Sequence, residues 1–284
     1  MAINASVFFV LLWHVNTEQA SGDNRGESSL QDSGNDASAT PKATAPSGDN
    51  ATPIDRRYEK FMKLLKQPTV DLDALRELAW GGTPATLRPT CWRLLLGYMP
   101  PNVDRRETVV ARKRREYHDC IPQYYDIDSS ERTEEEQATL RQISVDVPRT
   151  VSSVPFVHLP SSQSMLQRIL YIWAIRHPAS GYVQGINDLV TPFMAVFISE
   201  HCGQDMSAWN LEDLPEHVQQ EIEADCYWCT SMLLDRIQDH YTFAQPGIQR
   251  ATHKLEELVK RIDSQMYEHC QEQNLQFLQF AFRW

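Results

Sequence analysis

Cysteine, basic charge and long apolar runs are all scarce in this sequence, and each scarcity excludes a class of function. Six cysteines in 284 residues are too few for a disulfide-built scaffold. Cys226 and Cys229 form a C-x-x-C pair, but Ile222, Cys226, Cys229 and Leu233 recur at helical spacing. No second ligand pair completes a zinc site, so these two are expected to be core cysteines. Histidines such as His158, His177, His201 and His217 are scattered without metal-ligand spacing. Lysine and arginine number 27 against 38 acidic residues, a net charge of −11, so the global basic footprint of a nucleic-acid binder is missing. The apolar run Val7–Trp13 is far shorter than the ~20 residues a membrane-spanning helix needs. It is similar to a signal-peptide core, with small residues at Ala20-Ser-Gly22, but no Lys or Arg precedes it. An alternative N-terminus with an apolar tip is therefore expected, and the acceptors at Asn4 and Asn50 matter only in a secreted chain. There is no Gly-x-x-x-x-Gly-Lys-Ser/Thr, so the chain is not expected to bind nucleotide by itself. No internal repeat is apparent.

What is present is an ordinary globular composition, 42% hydrophobic, behind a polar leader. Residues 17–52 are built mostly from Ser, Asp, Asn, Gly, Ala, Thr and Pro, with Leu30 as the one large apolar residue. Such a stretch cannot bury enough surface to offset its ordering entropy, so residues 1–53 are expected to form an apolar tip and a disordered tail. Order is expected from residue 54. Tyr58, Phe61, Met62, Leu64 and Leu65 predict a first helix, and Asp71 caps a second carrying Leu72, Leu75 and Leu78. Thr83-Pro84 reads as a cap followed by proline at the first helical position. Trp92, Leu95 and Leu96 predict a buried face that Gly97 ends. Arg105 to Ile121 reads as a strongly basic helix with a solvated face, or one that steers an acidic surface. Thr133-Glu-Glu-Glu136 reads as a capping box. Ile186, Leu189, Val190, Phe193, Met194 and Phe197 define an apolar core helix. Two long helices over about 215–240 and 248–272 follow.

Two short segments carry chemistry. Ile143-Ser-Val-Asp146-Val-Pro-Arg149 reads Ile-x-x-Asp-x-x-Arg, and Gly181-Tyr182-Val-Gln184-Gly185 contains Tyr-x-Gln. Pro148 is expected to push Val147 towards extended backbone and to keep Arg149 out of a helix. Gly181 and Gly185 permit loop geometry around Gln184. Between the segments, Met165, Leu166, Ile169, Leu170 and Trp173 predict a helix from about Gln163 to Arg176. A guanidinium is always charged and matches phosphate oxygens, and a carboxamide both accepts and donates. That pairing suits phosphoryl transfer, which needs a positioned water and stabilised charge. Asn187 and Asp188 lie beside the glutamine and either cap the next helix or orient the pair.

These segments resemble the signature motifs of the TBC domain, the catalytic module of Rab GTPase-activating proteins. Arg76-Glu-Leu-Ala-Trp80-Gly-Gly, Leu87-Arg-Pro-x-x-Trp92-Arg-Leu-Leu-Leu96 and Gly185-Ile-Asn187-Asp188 agree with it. The wider match, through Phe243–Gly247 and Leu278–Trp284, is most similar to the member 22 branch of that family. The resemblance covers about residues 55–284 and implies an all-α, orthogonally packed multi-helix domain. It makes Arg149 the arginine finger and Gln184 the glutamine finger. Asp146 would brace the arginine segment, and Tyr182 and Gly185 would support the glutamine. The implied partner is a Rab-family small GTPase that brings its own GTP and Mg²⁺, so no cofactor of the chain's own is expected. The implied location is cytoplasmic, peripheral on endomembranes such as the Golgi. In the family the domain continues past the position of Trp284 with a further helical subdomain. Leu275, Phe277, Leu278, Phe280, Phe282 and Trp284 are therefore expected to lack packing partners, and a non-catalytic GTPase-binding module is the alternative reading.

Overall fold

The computed structural model of the chain describes residues 53–151, 154–203, 205–242 and 244–281. The expectations for the apolar tip, the low-complexity tail, Phe282 and Trp284 fall outside these residues. Among the described residues the fold is all-α, with one isolated bridge between Thr69 and Asn102. No described helix is long and apolar enough to cross a membrane. The chain divides into two compact units. The first takes the described residues up to Cys91 with Pro101–Val103, and the second takes Trp92–Pro100 and everything from Asp104.

In the first unit, α1 (Pro53–Leu65) packs on α2 (Leu72–Ala79) around the fully buried Phe61 and Leu75. Asp71 caps α2 as its position predicts, accepting from the Asp73 and Ala74 amides at 3.0 and 3.1 Å. Arg57 donates to the carbonyls of Leu78 (2.9 Å) and Gly82 (2.6 Å), which satisfies the backbone where α2 ends. The expected Thr83 cap does not form. A 3₁₀ turn at Ala85–Leu87 intervenes, closed by the Leu87 amide on the Pro84 carbonyl, before α3 (Arg88–Leu96) begins. The Thr83 hydroxyl is left buried without a partner.

The second unit holds the end of α3, then α4 (Arg106–Cys120), α5 (Glu134–Asp146), α6 (Pro160–Arg176), α7 (Ile186–Cys202), α8 (Glu216–Arg236), α9 (Pro246–Ile262), α10 (Ser264–Glu272) and α11 (Phe277–Ala281). The predicted face on α3 is shifted: Trp92, Arg93 and Leu94 are buried, and Leu95 and Leu96 are only half so. The expected long helix over 248–272 is two helices. Asp263 breaks it, leaving helical geometry and using its carboxylate to accept the Met266 amide at 2.9 Å. Leu258 and Ile262 on α9, Met266 on α10, and Leu275 and Leu278 are exposed, whereas Phe277 is buried.

Helix α8 is the centre of this unit, with α4, α6 and α7 packed against it. Every residue from Ile222 to Ser231 is buried, so Cys226 and Cys229 are core cysteines as expected. The same burial takes in two carboxylates. An ionised carboxylate without water must be paired and hydrogen-bonded. Asp225 receives a forked Arg114 at 2.8 and 2.8 Å, Arg93 Nε at 2.9 Å and the Tyr98 hydroxyl at 2.5 Å. Arg93 then forks onto Glu200 of α7 at 3.0 and 2.5 Å and lies 4.4 Å from the Phe197 ring centroid. Glu223 receives Arg168 of α6 at 2.8 and 2.7 Å and the Tyr117 hydroxyl at 2.7 Å. Burial and the neighbouring carboxylates hold both phenols far above their ordinary pKa, so each remains a donor.

This arrangement corrects the reading of α4 as a basic, solvated face. Arg114 shares a helical face with Val110 and Tyr117 and turns inward. Lys113 sits 3.7 Å from the Trp228 ring centroid, and the Trp228 indole donates to its carbonyl at 2.6 Å. Only Arg105, Arg112 and Arg115 keep exposed positions, and Arg112 pairs with Glu116 at 3.3 Å.

Helix α5, which delivers the arginine segment, opens with the predicted capping box. The Glu136 amide donates to Thr133 Oγ1 at 3.2 Å, and the Thr133 amide donates to the Glu136 carboxylate at 2.7 Å.

Two stability predictions follow from these contacts. Asp225→Ala leaves Arg93 and Arg114 without their shared carboxylate, and denaturant unfolding should show a loss of ~3–5 kcal/mol. Thr133→Ala removes one cap and should cost only ~1 kcal/mol in the same assay. An Asp225→Ala variant no less stable than Thr133→Ala would show that the buried carboxylate is not what ties these helices together.

Candidate active site

Helix α5 ends at Asp146 and tightens into a 3₁₀ turn, Val147–Arg149. Val147 is not extended, as the proline after it led one to expect. It is helical (φ −53°, ψ −48°) and its amide still bonds the Ile143 carbonyl. Proline fits because it falls in the first residues of a new turn, where its missing donor breaks no required bond. Arg149 is thus the last residue of a turn rather than part of an open loop. Thr150 closes that turn through its amide on the Val147 carbonyl (3.2 Å) and is itself extended. Val151 has φ +36°, a strained value for a β-branched residue.

Helix α6 then starts at Pro160, earlier than predicted, because proline takes the first helical position. Met165, Leu166, Ile169, Leu170 and Trp173 are all buried, as their spacing predicts. The helix ends at Arg176, and the Gly181 amide returns to the His177 carbonyl at 2.8 Å. Gly181 (φ +61°) and Gly185 (φ +103°) both use left-handed backbone, which lets the short loop turn into α7.

The two segments are joined by a hydrogen-bonded chain, buried at Thr150 and Asn187 and half-buried at Tyr182. The Tyr182 hydroxyl donates to Asp146 Oδ2 at 3.0 Å and lies 3.3 Å from Asn187 Oδ1. Asn187 Oδ1 accepts the Gly185 amide at 3.0 Å, and its Nδ2 donates to Thr150 Oγ1 at 2.8 Å. Thr150 Oγ1 donates onward to the Asp146 carbonyl at 3.1 Å. Asp146, Thr150 and Asn187 are buried. Burial raises the Tyr182 pKa well above its ordinary value, and the Asp146 carboxylate adds to the rise, so the phenol stays a donor.

Of the residues singled out by sequence, Asp146, Tyr182, Gly185 and Asn187 come together in this chain of bonds. Asn187 does not cap α7, which opens at Gly185 without a side-chain cap bond; it holds the Gly185 amide and reaches across to Thr150 in the arginine segment. Asp188 stands apart from the chain. Its residue surface is exposed, but partial shielding of the carboxyl raises its pKa. The Val151 backbone opposes that rise, and the Asp146 charge reinforces it. Thr150 is the member that sequence reasoning missed, since nothing in a lone threonine after an arginine announces a partner in a later segment.

Arg149 and Gln184 stand out by contrast. Both are exposed, and among the described residues neither side chain has a hydrogen-bond or ion-pair partner. The site therefore has a rigid, satisfied base and two free polar ends, a permanent cationic fork and a neutral amide. Among the described residues no group of His, Cys, Asp or Glu is placed to hold a metal ion.

Comparison with known proteins identifies the family. The model of the Rab-GTPase-TBC domain family matches residues 85–284. TBC1 domain family member 22B of Homo sapiens is 53% identical over 228 residues, covering 80% of this chain and 45% of that protein. GTPase-activating protein GYP1 of Saccharomyces cerevisiae is 44% identical over 237 residues, covering 81% of this chain and 37% of that protein. The chain thus spans less than half the length of these relatives. The crystal structure of the Ypt/Rab-GAP domain of Gyp1p superposes with a TM-score of 0.75 at 42% identity, covering 82% of this chain and 73% of that one. The motifs, the helical fold and these similarities converge on one assignment: the chain belongs to the Rab-GTPase-TBC domain family.

Proposed function

We propose that this chain is a GTPase-activating protein for a Rab-family small GTPase, supplying Arg149 and Gln184 in trans. The observation that carries the reading is the pair itself: two exposed, unpartnered side chains on segments whose neighbours are buried and cross-bonded. A surface arginine kept for stability would be paired, and a loop glutamine would not need a glycine-bounded turn fixed to another segment. GTP hydrolysis asks little covalent help of protein; it asks for an oriented water and stabilised charge on the transferring phosphoryl group. Arg149 reaches the β- and γ-phosphate region of GTP held by the partner, where its fork meets the developing charge. Gln184 orients the attacking water in place of the GTPase's own glutamine. GTP and Mg²⁺ belong to the GTPase. With such a partner the chain acts in the cytoplasm, recruited peripherally to endomembranes such as the Golgi. The names of its relatives support the reading, since two are called GTPase-activating proteins.

Single-turnover hydrolysis on a panel of GTP-loaded Rab proteins tests this. Arg149→Ala should lower stimulation by ~10³-fold or more, the scale of an arginine finger. Thermal unfolding should be unchanged, because the side chain has no partner to lose. Gln184→Ala should also lose most of the stimulation. Arg149→Lys should rescue little, because an ammonium lacks the planar fork. A non-catalytic GTPase-binding module would give equal rates with wild type and Arg149→Ala. It would also bind GTPase loaded with GDP and aluminium fluoride no better than the GDP form.

A further inference from the structure

We infer that Thr150 is a positioning residue for the Arg149–Gln184 pair, setting the distance between the two through its side-chain hydroxyl. The inference rests on the proposed function and goes beyond it, because Thr150 touches neither finger's side chain among the described residues.

The argument is geometric. Arg149 is bracketed in sequence by Asp146 and Thr150, and Gln184 by Tyr182 and Asn187. The four bracketing residues bond across in two rungs, Tyr182 to Asp146 at 3.0 Å and Asn187 to Thr150 at 2.8 Å. One rung alone would act as a hinge about which either segment can swing. Two rungs, one on each side of each finger, remove that freedom. Thr150 is 1% exposed, so its rung has no water competing for it.

The hydroxyl both donates and accepts. It donates its one proton to the Asp146 carbonyl at 3.1 Å and accepts from Asn187 Nδ2. This fixes the direction of the whole relay: Asn187 amide to Thr150 hydroxyl to Asp146 carbonyl. It also fixes the Asn187 side chain so that Oδ1 faces the Gly185 amide at 3.0 Å, directly after Gln184. The hydroxyl of Thr150 thereby acts on the backbone next to the glutamine, through one intervening side chain. The strained Val151 beside it shows that the turn is held against its own preference.

Three features distinguish this role from ordinary packing. The needed group is the hydroxyl, so Thr150→Val, which keeps shape and removes the donor and acceptor, should fail. Thr150→Ser, which keeps the hydroxyl, should succeed. The defect should fall on the catalytic step rather than on partner binding, because no exposed side chain changes.

The test uses the full chain in four forms: wild type, Thr150→Val, Thr150→Ser and Arg149→Ala. Single-turnover rates are measured against activator concentration, and hydrogen exchange is followed at the Gly185 amide. Thr150→Val should lower the saturating rate by ~10–100-fold, the scale of a small misplacement of catalytic groups. Its half-saturating concentration should stay within about twofold of wild type, and Thr150→Ser should return the rate to within about threefold. The Gly185 amide should exchange faster in Thr150→Val than in Thr150→Ser, because its acceptor is no longer anchored. A Thr150→Val variant with wild-type rate, or with a loss confined to half-saturation, overturns the inference. So does unchanged exchange at Gly185. If wild type stimulates no GTPase, the proposed function fails, and the exchange comparison still decides whether the hydroxyl couples the segments. If Thr150→Val does not fold cooperatively, Thr150→Ala removes the same hydroxyl in a smaller side chain and must show the same rate and exchange pattern.

Discussion

Asp225 is almost wholly cut off from water, and the second unit is arranged around what that requires. Its negative charge draws Arg93, Tyr98 and Arg114 from the end of α3, the turn after it, and α4. Arg93 passes the constraint on to Glu200, so that α7 is fixed to α8 through a charge they share. Two residues earlier on α8, Glu223 does the same for α6 through Arg168. The helices that flank the candidate site are therefore held by forked, buried ion pairs whose geometry tolerates little sliding. Apolar packing of the same volume would give as much or more stability, but it would not fix position along the helix axis so narrowly.

On that base the site separates two duties. Asp146, Tyr182, Asn187 and Thr150 spend their hydrogen-bonding capacity on one another and hold the backbone. Arg149 and Gln184 spend none of theirs and face outward. Electrostatic catalysis gains most when donors are already in place and need not reorganise as charge develops. A satisfied polar layer beneath two free side chains suits that requirement under the proposed function.

Much of this was legible in the sequence, and the failures have a common cause. The apolar periodicity of α6 and α7, the caps at Asp71 and Thr133, and the glycines around Gln184 are local signals, and the structure follows them. Glu223, Asp225, Arg93 and Arg114 were not legible, because a charged residue is a surface residue by default and only its distant partners show otherwise. Arg114 gave a faint hint by sharing a face with Val110 and Tyr117. Thr150 gave none, since its partner lies across an intervening helix. Val147 was misread because the rule for residues before proline is statistical, and a 3₁₀ turn beginning at that point satisfies the backbone in another way. The break at Asp263 has a capping residue in plain view, but the apolar stripe running through it hid the signal.

The outward placement of Arg149 and Gln184 has a consequence for how such a domain changes over generations. Among the described residues neither side chain makes a hydrogen bond or ion pair, so a change at either position should meet little purge for misfolding. If the two side chains act as proposed, one altered codon suffices to leave a soundly folded member that has lost its chemistry. On that proposal, lineages built on this plan sit a single step from decoys, which would hold a partner without turning it over.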